Sequence, residues 1–397
     1  MRILKAHAGL GPDFSKARIL PVASLLPLLL AILLSLAPAA VRAHGRPPVA
    51  IAPAVQRIAV FGTDDRVLMP SSMRGLQERV GLLVNQRTRS VCTAFCAAPD
   101  VIVTAAHCLL GTAGEAAPRL SDFLFTPNFE QRRPHTRIAG AAAGRAEQFV
   151  LAGAASLSVR PPIDASRDWA LVRLEHNVCN RGVLPVRALP TEQIMADAAQ
   201  GKVFQIAYHR DFQPWRLAYS KPCAVQRSFE GSDWSAIAQD FSDPGNLLLH
   251  HCDTGGASSG SPLLRNSPDG PEVVGINIGT YEEAKVELEA GRIVKRGKST
   301  RVANTGVNAV VFAAKLDLFR NAQILVAPPQ IRAMQVALRQ RSHYTGPVNG
   351  VFAPDLRQAI ESYERAQGLL VTGLATQALL KRLQNPGATL LKSGRAG

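Results

Sequence analysis

Between residues 80 and 280 the chain is built from short apolar or alternating runs. "VGLLVN" (80–85), "VIVTAA" (101–106), "ALVRL" (170–174), "KVFQIAY" (202–208) and "EVVGINIG" (272–279) are separated by clusters of Gly, Pro, Asn and Asp. Runs of that length with turn residues between them predict an all-β sandwich or barrel. "YEEAKVELEAGRIVKRGKSTR" (281–301) is a charged interruption, expected as a surface loop or hairpin, and "VNAVVFAAKLDLFRNA" (307–322) predicts a last strand running into a helix. At "VAPPQ" (326–330) the period changes, and Ile331, Met334 and Leu338 then recur at helical spacing. A second helix carries that spacing through Leu356, Ile360 and Tyr363, with Pro354 at an early position, and "TGLATQALLKRL" (372–383) supplies a third.

The first 43 residues stand apart from both patterns. "ILPVASLLPLLLAILLSLAPAAVRA" (19–43) follows Arg2, Lys5, Lys16 and Arg18 and ends in small residues, with Val41 and Ala43 placed as at a cleavage site. This is the build of an export signal, cut after Ala43. An uncleaved anchor is the rival, because the run is long enough to span a bilayer, but Pro21, Pro27 and Pro38 favour cleavage. The expected organisation is a signal (1–43), an N-terminal segment or propeptide (44–79), a β domain (80–326), a linker (327–330), a helical domain (331–385) and a tail (386–397). A length of 397 residues accommodates this.

Removing the signal leaves 40 basic against 29 acidic residues, a formal +11 in place of +15. An anionic neighbour follows from that balance, and for an exported chain this is the wall or envelope. No motif that reads RNA or DNA accompanies the charge, so nucleic acid is not an expected partner. The six cysteines, Cys92, Cys96, Cys108, Cys179, Cys223 and Cys252, are even in number in an exported chain, which points to disulfides. Zinc is the weaker alternative: Cys92 and Cys96 have ligand-like spacing, but no second close pair answers them. Neither metal nor cofactor is expected.

His107 sits at the end of an apolar run, where a histidine by itself is more often structural than chemical. Downstream lie Asp168, at the mouth of an alternating strand, and Ser259, in the Gly- and Ser-rich "CDTGGASSGSPLL" (252–264). A serine hydroxyl needs a base to take its proton, and that base needs a carboxylate to fix its tautomer. Asp164 is the rival carboxylate, in a Pro-rich lead-in. The order His, Asp, Ser excludes an α/β-hydrolase, in which Ser comes first and His last.

"TAAHC" (104–108), "DWALVRL" (168–174) and "SSGSP" (258–262) together resemble the three signature segments of trypsin-like serine peptidases, closest to the bacterial branch resembling glutamyl endopeptidases. The resemblance spans roughly residues 60–320 and implies two six-stranded antiparallel β-barrels. It implies Ser259 as nucleophile, His107 as general base and then acid, and Asp168 as its orienter. The backbone N–H groups of Ala257 and Ser259 would form the oxyanion hole, with alanine where the family usually has glycine, and Gly255 and Gly256 just upstream as an alternative source of freedom. A Cys92–Cys108 bridge would tie the histidine loop and Cys223–Cys252 the nucleophile loop. Cys96 is then left with Cys179, one of the 15 connectivities open to six cysteines.

Asp253 and Thr254 are expected near the base of the primary pocket, where Asp253 would call for Arg or Lys; capping a turn is the alternative role. Asn277 stands where glutamate-preferring relatives have histidine, which argues against glutamate preference. A trypsin-style zymogen switch is not expected, since Ser258 replaces its aspartate and no Ile-Val-Gly-Gly start exists. His250 and His251 are expected as strand residues rather than ligands.

Residues 330–385 resemble a peptidoglycan-binding-like domain of three short helices, through "MQVAL" (334–338), "YTGPVNGVF" (344–352) and "GLLVTG" (368–373). Asn349, Ala353 and Tyr363-Glu364 depart from the usual Asp, Gly and Phe-Gln. The expected protein is thus an exported serine endopeptidase of the periplasm, envelope or medium. Its partners are a protein or peptide substrate and peptidoglycan, with no stable membrane insertion after signal cleavage. A non-catalytic wall-binding protein on a decayed peptidase fold is the alternative, and an esterase on the same triad is a weaker third.

Overall fold

The computed structural model describes residues 59–385, apart from 111–116, 132, 159–160, 230–232 and 290–291, and gives only the backbone of 282–302. The expected signal (1–43), residues 44–58 and the tail 386–397 lie outside the described residues. Among the described residues no helix is long and apolar enough to cross a membrane.

The strands in chain order are β1 (Val67–Leu68), β2 (Val80–Asn85), β3 (Val91–Ala98), β4 (Val101–Thr104), β5 (Phe123–Pro127), β6 (Thr136–Arg137) and β7 (Val150–Ala152). They continue with β8 (Ala170–Arg173), β9 (Val203–Tyr208), β10 (Leu217–Ser220), β11 (Leu247–His250), β12 (Pro262–Ser267), β13 (Gly270–Glu289) and β14 (Arg292–Asn308). They form two antiparallel sheets, ordered β6-β5-β2-β3-β4-β8-β7 and β1-β10-β9-β12-β13-β14-β11. Each sheet has seven strands rather than the expected six. The surplus is explained by β1 and β6, two residues each and too short to carry a period in the sequence.

The runs singled out by pattern are the cores of these sheets. β4 and β9 are buried along their whole length, as continuous apolar runs predict for strands covered on both faces. Phe95, Phe123, Phe125, Phe204 and Tyr208 fill the main core, each at most 1% exposed. The charged interruption 281–301 is the outer part of the β13–β14 hairpin, with Glu287 paired to Lys295 and Glu282 to Arg301 in register.

The N-terminal segment is not separate from the β domain. β1 pairs with β10 at the edge of the second sheet, Val67 opposite Tyr219, and Ala59 is fully buried. Residues 59–79 therefore pack as part of the β domain, and the expected boundary at 79/80 moves N-terminal to Ala59.

The helical domain consists of Pro328–Arg339, Pro354–Ala366 and Gln377–Gln384, around a core of Ile331, Met334, Leu338, Leu356, Ile360 and Leu380. The expected linker 327–330 is the first turn of its first helix. Pro328 and Pro329 occupy the first positions, where a missing N–H costs nothing. The preceding segment also belongs to this domain: Leu325 lies in its core and its N–H donates to the Ala375 carbonyl (2.8 Å). Leu374 packs in turn into the core of the sheets.

Candidate active site

His107 opens a one-turn helix directly after β4, and Asp168 precedes β8, which pairs with β4 (Thr104 opposite Ala170). That pairing brings the two side chains together. His107 Nδ1 lies 2.7 Å from Asp168 Oδ2, and the His107 backbone N–H donates to Oδ1 at 2.9 Å. One carboxylate thus holds both the ring and the chain that carries it. Asp168 is 8% exposed, and the His107 side chain keeps 26% of its surface open. Burial works against a charged ring here, but the charge and hydrogen bond of Asp168 outweigh it and raise the His107 pKa.

The rival carboxylate serves its own loop. Asp164 Oδ2 accepts the Ser158 N–H (3.1 Å) and Oδ1 the Ser242 hydroxyl (3.1 Å).

Ser259 lies on a turn pressed against the histidine strand. Its carbonyl accepts the Thr93 N–H (2.9 Å), while Thr93 Oγ1 donates to the Ala257 carbonyl (2.8 Å). At Gly260, with φ +81°, a Cβ would meet Thr104 Oγ1 at 2.1 Å and the Thr93 carbonyl oxygen at 2.4 Å. Only glycine lets the turn approach this closely. The Cys92–Cys108 disulfide closes the same corner, with Cys108 Sγ 3.7 Å from His107 Nε2 and 4.0 Å from the Ser259 carbonyl oxygen. These sulfurs are joined to each other and offer no thiolate to a metal. The other bridges are Cys96–Cys179 and Cys223–Cys252.

Ala257 has φ +81°, the left-handed conformation that glycine would adopt without strain. Gly255 and Gly256 do not supply it in its place, since neither has a positive φ. Around the turn the Ser258 N–H donates to the Gly255 carbonyl (3.2 Å) and the Gly260 N–H to that of Asn277 (2.7 Å). Among the described residues the N–H groups of Ala257 and Ser259 have no acceptor. Two spare donors beside a half-buried serine are what an oxyanion site requires.

The residues expected at the specificity pocket are all buried and hydrogen-bonded within the protein. Asp253 is 2% exposed and its carboxylate accepts the N–H groups of Phe61 and Asp65, both at 2.9 Å. It pins residues 61–65 beside the turn that carries Ser259, with both oxygens already engaged. Thr254 is buried with its N–H on the Ala59 carbonyl (3.2 Å). Asn277, 1% exposed, accepts from His250 Nε2 (3.1 Å) and donates to Ser258 Oγ (3.2 Å), so it braces the turn from behind. His250 is a β11 residue whose burial lowers its pKa to about 3, and His251 stacks between Phe61 and Phe229.

A cleft of about 260 Å³ opens beside His107, with Leu157, Ile163, Phe241, Ile278 and Thr280 among its walls. The sequence contained a partial signal for it, because Ile278 and Thr280 lie one and three residues after Asn277. Leu157 and Ile163, both on the connection after β7, and Phe241, on the loop ahead of β11, carried none.

An imidazole oriented by a buried carboxylate thus lies near a serine turn with spare amides, between two antiparallel sheets, an arrangement compatible with the serine peptidase class to which the domain match points. Residues 92–276 match the trypsin-like peptidase domain family, and residues 328–383 the peptidoglycan binding domain family. The chain thus carries a trypsin-like peptidase domain followed by a peptidoglycan-binding-type domain. No curated protein matches its sequence.

Among solved structures it is similar to a Glu endopeptidase in complex with MPD, at 16% identity and TM-score 0.41, over 66% of this chain and 98% of that one. The secreted serine protease VesC from Vibrio cholerae matches at 15% and 0.43, over 66% and 49%. A thermostable serine protease, AL20, from an extremophilic microorganism matches at 15% and 0.39, over 61% and 96%.

Proposed function

We propose that the protein is an exported endopeptidase that cleaves peptide bonds with Ser259, His107 and Asp168, and that its helical domain holds it on the cell wall. The observation that carries the catalytic part is the Asp168 carboxylate, which engages the His107 ring at 2.7 Å and leaves Nε2 as the acceptor. In the acylation step His107 Nε2 takes the Ser259 proton as Oγ bonds to the scissile carbonyl carbon, and the carbonyl oxygen becomes an oxyanion held by the N–H groups of Ala257 and Ser259. The imidazolium, stabilised by Asp168, then returns its proton to the departing amine as the C–N bond breaks. Water repeats the sequence on the acyl-enzyme, restoring Ser259 Oγ–H and releasing the acid.

Export and wall targeting draw support from the N-terminal apolar run, the three disulfides and the peptidoglycan-binding-type domain. Basic residues in that domain, among them Arg332, Arg339, Arg341, Arg357 and Arg365, would add attraction to an anionic polymer. The oxidised protein should hydrolyse labelled casein, and Ser259→Ala should lower that rate by several orders of magnitude without changing the fold. Both proteins should pellet with purified sacculi, and pelleting that survives 1 M salt, where the Debye length is about 3 Å, separates a specific site from charge alone. Pelleting by a protein that never hydrolyses casein would favour the decayed-peptidase alternative.

A further inference from the structure

A second cavity, of about 250 Å³, lies where the peptidase domain meets the helical domain. Arg145, Glu147 and Gln148 form one wall, ahead of β7, and Pro328, Val351 and Phe352 form the other. The two walls are tied together: Arg145 Nη1 donates to the Val326 carbonyl (3.1 Å), and Arg357 Nη2 donates to that of Glu147 (2.6 Å). Gly350, with φ +78°, lets the loop before Val351 press on the helix start, since a Cβ there would meet the Pro328 carbonyl oxygen at 2.6 Å.

Gln148 is only 5% exposed, yet its Oε1 is buried without a hydrogen-bond donor. Leaving such an acceptor unmet costs about 1–3 kcal/mol, and buried polar atoms seldom go unmet. Arg145 and Glu147 lie on the same wall with opposite charges, and neither forms an ion pair among the described residues. The facing wall is apolar, and Val351 leaves 55% of its surface uncovered.

The unmet buried group is Gln148 Oε1, which calls for an N–H. Around it the exposed Arg145 offers a site for an anion, the exposed Glu147, although Arg357 also lies near it, a site for a cation, and Val351 and Pro328 a surface for small apolar groups. A sugar ring brings hydroxyls but neither charge. A short peptide with free ends brings all four, and the volume, below the roughly 300–1000 Å³ of pockets for drug-sized ligands, limits it to about two small residues. We propose that this seam binds the zwitterionic form of a dipeptide, with its carboxylate at Arg145, its ammonium at Glu147 and its amide N–H on Gln148 Oε1. The proposal rests on neither the triad nor wall binding, because its charged groups lie on the peptidase domain away from His107 and its apolar groups on the helical one.

The test is calorimetric titration of the full chain carrying Ser259→Ala, which cannot turn the probe over, with alanyl-alanine. Saturable one-site binding is expected. Arg145→Ala and Glu147→Gln, both at exposed positions, should each weaken it about tenfold, the loss of one charge-assisted contact. Val351→Trp should fill the cavity and abolish it, and N-acetyl-alanyl-alanine amide, which carries no charge, should not bind. The same three substitutions should leave the thermal melting midpoint and the circular-dichroism spectrum of the chain unchanged, which establishes, independently of any peptidase activity, that they fold. Absence of saturable binding, binding indifferent to the three substitutions, equal binding of the blocked dipeptide, or binding of N-acetylglucosamine in its place would each overturn the proposal.

Discussion

Replacing Asp168 with asparagine isolates the role of its charge at almost constant shape. The carboxylate now accepts two donors, the His107 backbone N–H at 2.9 Å and the ring Nδ1–H at 2.7 Å. Asparagine has one oxygen and one NH₂ for these places. If the oxygen keeps the backbone N–H, the NH₂ faces Nδ1 and can only donate to it, which forces the ring proton onto Nε2. Nε2 can then no longer take a proton from Ser259. Loss of a general base costs about 10²–10⁴ in rate, and the change of tautomer places Asp168→Asn at the upper end, about 10⁴.

The pH profile carries a second signature. Activity needs neutral His107, so its raised pKa sets the acid limb of the wild type above the ordinary value of 6.5. Burial, the largest influence, lowers the pKa, and only Asp168 raises it. The residual activity of Asp168→Asn should therefore titrate below 6.5. Initial rates of casein hydrolysis from pH 5 to 9 measure both effects. A variant within tenfold of wild type at neutral pH, or an acid limb that stays above 6.5, would refute the assignment of Asp168.

Ala257→Gly should relieve the φ +81° strain and, after the greater entropy of unfolded glycine is offset, stabilise by up to about 1 kcal/mol with activity retained, whereas Gly260→Ala should abolish activity because its Cβ has no room; thermal melts and casein rates check both. Asp253→Asn leaves one of the Phe61 and Asp65 N–H groups without its acceptor and should cost about 1–3 kcal/mol in denaturant unfolding, with no change in which peptide bonds are cut in a peptide library. His209 and His250 are both held neutral, with pKa values lowered to about 3 mainly by burial, against 6.5 when unfolded. Their stabilisation is complete above pH 6.5 and falls on acidification toward 3, by up to about 1.4 kcal/mol per pH unit for each, and His209→Gln should flatten that slope in unfolding measured against pH.

Much of this arrangement was legible because its causes are local or ordered along the chain. Buried strands such as β4 and β9 announce themselves as apolar runs, and His107, Asp168 and Ser259 each sit beside one. The departure at Ala257 pointed to a backbone demand that the structure shows as a positive φ. Sequence alone leaves both roles of Asp253 open, because its partners, the amides of Phe61 and Asp65, lie nearly two hundred residues away in a segment with no strand period. A carboxylate near a pocket in sequence says nothing about whether backbone donors already hold it. The pair Pro328-Pro329 was ambiguous for a similar reason, since prolines suit both a linker and the first turn of a helix, and only the packing of Leu325 and Ile331 decides. The cleft beside His107 was largely hidden, because the connection that carries Leu157 and Ile163 and the loop that carries Phe241 meet only through the fold.

The central claim is that Ser259 is a nucleophile activated by His107, and covalent labelling tests it without knowledge of the natural substrate. The oxidised protein, incubated with a fluorophosphonate, should gain one adduct by intact mass, and peptide mapping should place it on Ser259. Ser259→Ala should gain none, and His107→Ala should label at least a hundredfold more slowly, as expected for loss of a general base. An adduct on another residue, persistent labelling of Ser259→Ala, or no labelling of the wild type would contradict the account.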